Sequence, residues 1–184
     1  MPQRGLSSLK PAISRMAASI GIERVGDDAL TKLVEYIGRY TSQLCSRIET
    51  YQTHTGHKTV KFSTIQYLIP GVIQTEHEGC TAVPANAVEA EALHIAKGRQ
   101  IYRHAACIFL TRAVMERYIR KNLNPERRIS ADAVTALIDT VQSRLLTVME
   151  SAGVICLHAK RKTLNAGDVA VTIRTMSKCI ESLG

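Results

Sequence analysis

Residues 24–69 recur, without a gap, 104 positions further along the chain. Arg24 is matched by Arg128, Asp28 by Asp132, Ala29 by Ala133, Thr31 by Thr135 and Leu33 by Leu137. His54 is matched by His158, Lys58 by Lys162, Thr59 by Thr163 and Ile69 by Ile173. Nine identities in 46 positions are few, but many other pairs keep their polarity: Val25 with Ile129, Ile37 with Val141, Leu44 with Val148, Ile65 with Val169. A repeat on this scale means two copies of one supersecondary unit, each leaving apolar surface that the other is suited to cover.

Each copy reads as short helix, loop, long helix, loop, short helix. In the first, Pro11–Ser19 opens, with Pro11 suited to a first helical turn, and Gly21 and Gly26 bracket a loop. Asp27 or Asp28 is expected to cap a long helix reaching about His54, whose apolar residues Leu30, Leu33, Val34, Ile37, Leu44, Ile48 and Tyr51 keep a period near 3.6. Thr55-Gly56-His57-Lys58 interrupts it, and a short helix runs to Ile69 before Pro70-Gly71 stops it. In the second copy, Ile108–Lys121 is helical and Asn122–Ile129 is a loop holding Pro125. Ser130 caps a long helix to about His158, with Leu137, Ile138, Val141, Leu145, Val148, Ala152 and Ile155 on one side. Lys160–Thr163 forms the next loop. Asn165 caps the last helix, with Asp168 in its first turn. A helix of about 27 residues is about 40 Å long. Three helices cannot bury both sides of such a rod. The partner is in the same chain, so an all-α intramolecular pseudo-dimer is expected, favoured by the tether.

Composition narrows the function. Aromatic residues are 4% and Trp is absent, which favours helix-on-helix packing. The net charge is +8, split unevenly: +4 over residues 1–70, −3 over 71–98 and +7 over 99–184. Two basic blocks flanking an acidic connector point to a polyanionic partner. Five cysteines at 45, 80, 107, 156 and 179 have no repeated spacing and read as reduced thiols. No apolar run approaches a membrane span. Neither a Gly-rich phosphate loop nor a nucleophile motif is found, so no enzyme, cofactor or small-molecule substrate is expected.

The strings PAISRMAASIGIERVGDDA in the first copy, HAKRKT (His158 to Thr163) followed by Asp168, and LNPERRISADAV (residues 123–134) resemble the histone family. The first copy is similar to archaeal histones and histone four, the second to histones three and 2B. The resemblance implies two histone folds, over residues 1–70 and 108–184, joined by a partly helical connector over 71–107. It also implies that Arg24 and Arg128 enter the minor groove of duplex DNA, each held by a second-loop threonine, matched here as Arg24 with Thr59 and Arg128 with Thr163. A pinned guanidinium suits a narrow, negative groove without reading bases. Lys58, Lys160 and Lys162 lie beside the loops expected to face phosphate, and Arg120, Lys121 and Arg127 extend that patch. Arg161 and Asp168 fit the family's clamp between second loop and third helix, where the first copy has His57 and Thr64. His158 and Asp168 match positions of self-association. No aromatic residues interleave the basic ones, so duplex DNA is preferred over single strands.

In the connector, His77 and Cys80, and His104 and Cys107, are metal-like pairs 27 residues apart. They lack the tighter zinc signatures, and no metal is expected. About nine residues precede the first helix, with Arg4 and Lys10 as their charges. Long lysine-rich tails are thus not expected, a pattern closer to histone doublets of giant viruses or prokaryotes. A viral doublet would locate to the virion and infected host cell, otherwise to the nucleus or nucleoid. The leading expectation is a doublet that wraps DNA with further copies of itself or a second doublet. The alternative is a histone-fold subunit of a transcription or centromere complex, acting mainly as a dimerisation module.

Overall fold

The structure, a computed structural model, describes residues 5–69 and 109–181. The first set holds α1 (Lys10–Ser19), β1 (Arg24–Val25), α2 (Asp27–Thr55), β2 (Thr59–Val60) and α3 (Phe62–Leu68), after a 3-10 turn at Ser7–Leu9. The second holds α4 (Arg112–Asn122), β3 (Arg128–Ile129), α5 (Ala131–His158), β4 (Thr163–Leu164) and α6 (Ala166–Glu181). The connector, with His77, Cys80, His104, Cys107 and the Pro70-Gly71 stop, lies outside the described residues.

The two long helices, of 29 and 28 residues, are each about 42 Å long. They touch where Arg144 of α5 donates from Nε to the Tyr36 hydroxyl of α2 at 3.1 Å. Each third helix packs over the other set's long helix, α3 on α5 and α6 on α2. The apolar stripes merge into one core spanning both sets, with Leu33, Ile37 and Ile48 of α2 beside Leu137, Leu145 and Val148 of α5. Cys45 sits in this core, where burial pushes its thiol up to about 12.

The four strands are two residues each and pair across the sets. β1 lies parallel to β4, with Arg24 opposite Thr163 and Val25 opposite Leu164. β2 lies parallel to β3, with Thr59 opposite Arg128 and Val60 opposite Ile129. Two equivalent bonds extend the pairs: Gly26 N–H to Leu164 O at 2.9 Å, and Ser130 N–H to Val60 O at 3.0 Å.

Some boundaries differ from those expected. The N-cap of α2 is Gly26, with Asp27 and Asp28 in the first turn. A Cβ on Gly26 would sit 3.3 Å from the Leu164 carbonyl, a close approach at a position where the other end carries Ser130. The fourth helix begins at Arg112 rather than Ile108, and the amides of Phe109 and Leu110 ahead of it donate to Gln142 Oε1, at 2.9 and 3.3 Å. Ser130 caps α5 as expected, its hydroxyl accepting from Ala133 N–H at 3.3 Å.

Candidate nucleic-acid interface

Each end of the crossed pair is built from a first loop of one set and a second loop of the other. At one end, Glu23 lies by Lys162 and Arg24 stands opposite Thr163. At the other, Arg127 and Arg128 meet His57, Lys58 and Thr59. The pairing within each set expected from sequence, Arg24 with Thr59 and Arg128 with Thr163, is thus exchanged. The bridges join Arg24 to Thr163 and Arg128 to Thr59 because each first loop lies against the other set's second loop. Arg24 and Arg128 are exposed, and among the described residues neither side chain has a hydrogen-bond or ion-pair partner.

The second loops are closed by different devices. Lys160 sits at a positive φ of 54°. Its N–H donates to Leu157 O at 2.8 Å and the Arg161 N–H donates to Cys156 O at 3.0 Å. These two bonds form the Schellman closure of α5. The equivalent position in the first set is Gly56, at φ 70°. Arg161 then forks onto Asp168, with Nη1 to Oδ2 at 2.8 Å and Nη2 to Oδ1 at 2.6 Å. The Asn165 N–H adds a third bond to Asp168 Oδ2, at 3.0 Å. The Arg161 hydrogen bonds, helped by that amide, hold the carboxyl below its ordinary range against the opposing effect of burial. The clamp expected from the motif is present.

His57 and Thr64 make no such clamp. The first set's second loop is instead held from the other set: Arg127 Nη1 donates to the His57 carbonyl at 2.8 Å, and its Nε lies 3.7 Å from Glu49 Oε2. Arg127, only 18% exposed, thus braces this loop. Glu49 also accepts from the Asn124 N–H at 2.8 Å.

The remaining basic residues divide. Lys58, Lys121 and Lys160 are exposed without ion-pair partners among the described residues. Lys162, 81% exposed, lies 3.8 Å from Glu23. Arg120 forks onto Glu116 within α4, at 3.1 and 2.8 Å, so its guanidinium is shared. Arg117, on the same helix face as Lys121, is exposed and has no ion-pair partner among the described residues. The motifs did not single it out, although its four-residue spacing to Lys121 was a signal.

His158 is exposed at the end of α5, whereas Asp168 is 4% exposed and committed to Arg161 and Asn165. Sequence reasoning missed three exposed apolar residues: Val154 and Leu157, which share a face of α5 with His158 by their spacing, and Val171 of α6, which are 52%, 73% and 51% exposed. Among the described residues, no group of three or more His, Cys, Asp or Glu is placed to hold a metal, and no helix is long and apolar enough to cross a membrane.

Three comparisons bear on this arrangement. The family model of the core histone domain, which covers histones 2A, 2B, three and four, matches residues 100–175. One subunit of the archaeal histone HAN1 of Thermococcus zilligii is 32% identical over 57 residues, which are 31% of this chain and 85% of that protein. The crystal structure of the histone from Methanopyrus kandleri superposes over 89% of this chain and 91% of its own, with a TM-score of 0.58 and 19% identity.

Proposed function

The chain belongs to the histone family, and from that premise we propose that it is a histone doublet, two histone folds paired within one polypeptide. The folds occupy residues 1–70 and 108–184, and 71–107 connect them. Histone-fold proteins bind and package DNA and are not enzymes. The reading for this chain is that it wraps duplex DNA into nucleosome-like particles with little sequence preference. One observation carries it: strand pairs at both ends put the exposed Arg24 and Arg128, without side-chain partners among the described residues, each beside a threonine, in loops that also carry Lys58, Lys160 and Lys162. Two arginines presented in equivalent settings at opposite ends of one body suit two successive inward-facing minor grooves of a bent duplex. The likeness to a histone structure extends over 89% of this chain, which supports a histone-like fold in both halves.

Further copies of the chain, or a second doublet, complete the particle. The exposed Val154 and Leu157, on one face of α5 with His158, and the exposed Val171 of α6 support self-association through these helices. Its location follows the DNA it packs, in a nucleoid or nucleus, or in a virion and infected cell for a viral source. Micrococcal nuclease digestion of the purified protein on long DNA tests the wrapping. Discrete protected lengths are expected. A featureless smear would sink the proposal in favour of a dimerisation module that touches DNA only locally.

A further inference from the structure

The two halves are alike enough to share a fold, so each half has its own copy as a competing partner. We infer that the residues at position 49 of the first half and 153 of the second select the pairing, so that each half accepts the other and rejects itself. This rests on the pseudo-dimer reading of the fold and not on DNA binding.

Glu49 and Gly153 are equivalent under the 104-residue repeat, and each faces the other half's first loop. Glu49 receives the Arg127 guanidinium at 3.7 Å and the Asn124 N–H at 2.8 Å. Gly153 instead receives Ile22, whose Cδ1 and Cγ1 would lie 3.4 Å from a Cβ at that glycine. One junction pairs Arg127 with Glu49, whereas the other seats Ile22 on Gly153 and leaves Glu23 to Lys162 at 3.8 Å, so the two keys are not interchangeable. Were the first half to pair with itself, Glu23, the equivalent of Arg127, would keep a lysine neighbour in Lys58, the equivalent of Lys162, but would also face Glu49 and the His57 carbonyl where Arg127 now sits, bringing carboxylate to carboxylate. Were the second half to pair with itself, Arg127 would meet Gly153 and lose its carboxylate. Glu126, the equivalent of Ile22, would then press on the slot that Ile22 fills. Like charges placed together and charges left unpaired are the usual means by which a wrong partner is rejected.

The centre of the interface repeats the asymmetry. The Ser42 hydroxyl donates to Asn122 Oδ1 at 3.0 Å and lies 3.3 Å from the Tyr118 hydroxyl, while Tyr118 donates to the Gly38 carbonyl at 3.3 Å. The equivalents of Ser42 and Gly38 are Leu146 and Gln142, so a second-half homodimer would set Tyr118 and Asn122 against a leucine. The first half's α1, KPAISRMAAS, has neither Tyr nor Asn to offer Ser42. Arg144 donates to Tyr36, but in a first-half homodimer the residue in its place is Tyr40.

The test uses the full chain with a protease site placed in the connector. The folded protein is cut, unfolded with both fragments present, refolded, and the products are counted by native mass spectrometry. Mixed pairs are expected to exceed like pairs at least tenfold. Glu49→Arg sets two arginines together in the mixed pair and offers Glu23 a partner in the first-half pair, so first-half homodimers are expected to appear. Adding Arg127→Glu reverses both charges and should restore the mixed pair. A statistical mixture from the parent protein, or an unchanged ratio in Glu49→Arg, overturns the inference. Should Glu49→Arg fail to refold, the double variant decides: recovery of the mixed pair supports the selector and its absence overturns it. Fragments that never pair would instead refute the pseudo-dimer itself, an outcome distinct from indiscriminate pairing.

Discussion

Arg24 and Thr163 stand opposite each other in a two-residue parallel bridge, although one belongs to the first half and the other to the second. Thr59 and Arg128 repeat the relationship at the far end. Each arginine is therefore positioned by a backbone that its own half does not supply. Replacing Arg24 or Arg128 with alanine is expected to weaken binding to unrelated duplexes alike. Each replacement should reduce the slope of log affinity against log salt by about one. Fluorescence anisotropy across a salt series reads both quantities. Unchanged slopes would show that the guanidinium groups do not face phosphate.

Arg127 provides the contrast. Its guanidinium is spent on the His57 carbonyl and Glu49, so Arg127→Ala should leave the salt slope in place. Lys58→Ala should lower that slope by about one. The cost of Arg127→Ala appears instead in stability, at about 1 kcal/mol for a lost charge-assisted hydrogen bond at a partly exposed site. Urea titration beside the binding measurement separates the two roles.

Asp168 makes stability depend on acid. Its folded pKa is lowered, chiefly by the Arg161 hydrogen bonds, so the folded state takes up this proton less readily than the unfolded chain. The stabilisation is complete above the ordinary carboxylate pKa of about 4 and drains away as pH falls through the lowered folded value. Asp168→Asn should melt below the parent protein at pH 7, with the gap closing as the pH is taken below that range. Thermal denaturation at several pH values checks this; a gap that is constant with pH would mean the carboxylate charge is not what holds the loop.

Lys160 occupies a left-handed backbone position, at φ 54°, where the equivalent residue is Gly56. Lys160→Gly removes the steric cost of a side chain there, a gain of about 1 kcal/mol. The same change removes an exposed ammonium from the loop beside Arg24, so DNA affinity should fall while the melting temperature rises. A variant that is neither more stable nor weaker in binding would contradict both assignments.

Leu157 is 73% exposed, so Leu157→Asp should alter the folding free energy by no more than about 0.5 kcal/mol. If Leu157, with Val154 and Val171, joins copies of the chain, assemblies larger than one chain should disappear in sedimentation velocity. Persistence of those assemblies would place the self-association surface elsewhere.

The sequence made the long helices, the Ser130 cap and the Arg161–Asp168 clamp legible because each depends on neighbours close along the chain. The partner of Arg24 was not legible. The repeat maps Thr59 onto Thr163, so both are loop threonines of one kind, and sequence spacing does not say which of them crosses over. Arg127 read as a free cation because Glu49 and the His57 carbonyl are local only after folding. The contact of Gln142 with the Phe109 and Leu110 amides is likewise made only once the chain has folded.

The exchange of strands between halves also has a consequence in time. A ribosome that has released only the first half has produced Arg24 and Lys58 in loops whose bridging strands are still unmade. β4, at Thr163–Leu164, is the last strand to emerge. The bridge that positions Arg24 is therefore completed only after Thr163 has been made, later than the Thr59–Arg128 bridge at the other end.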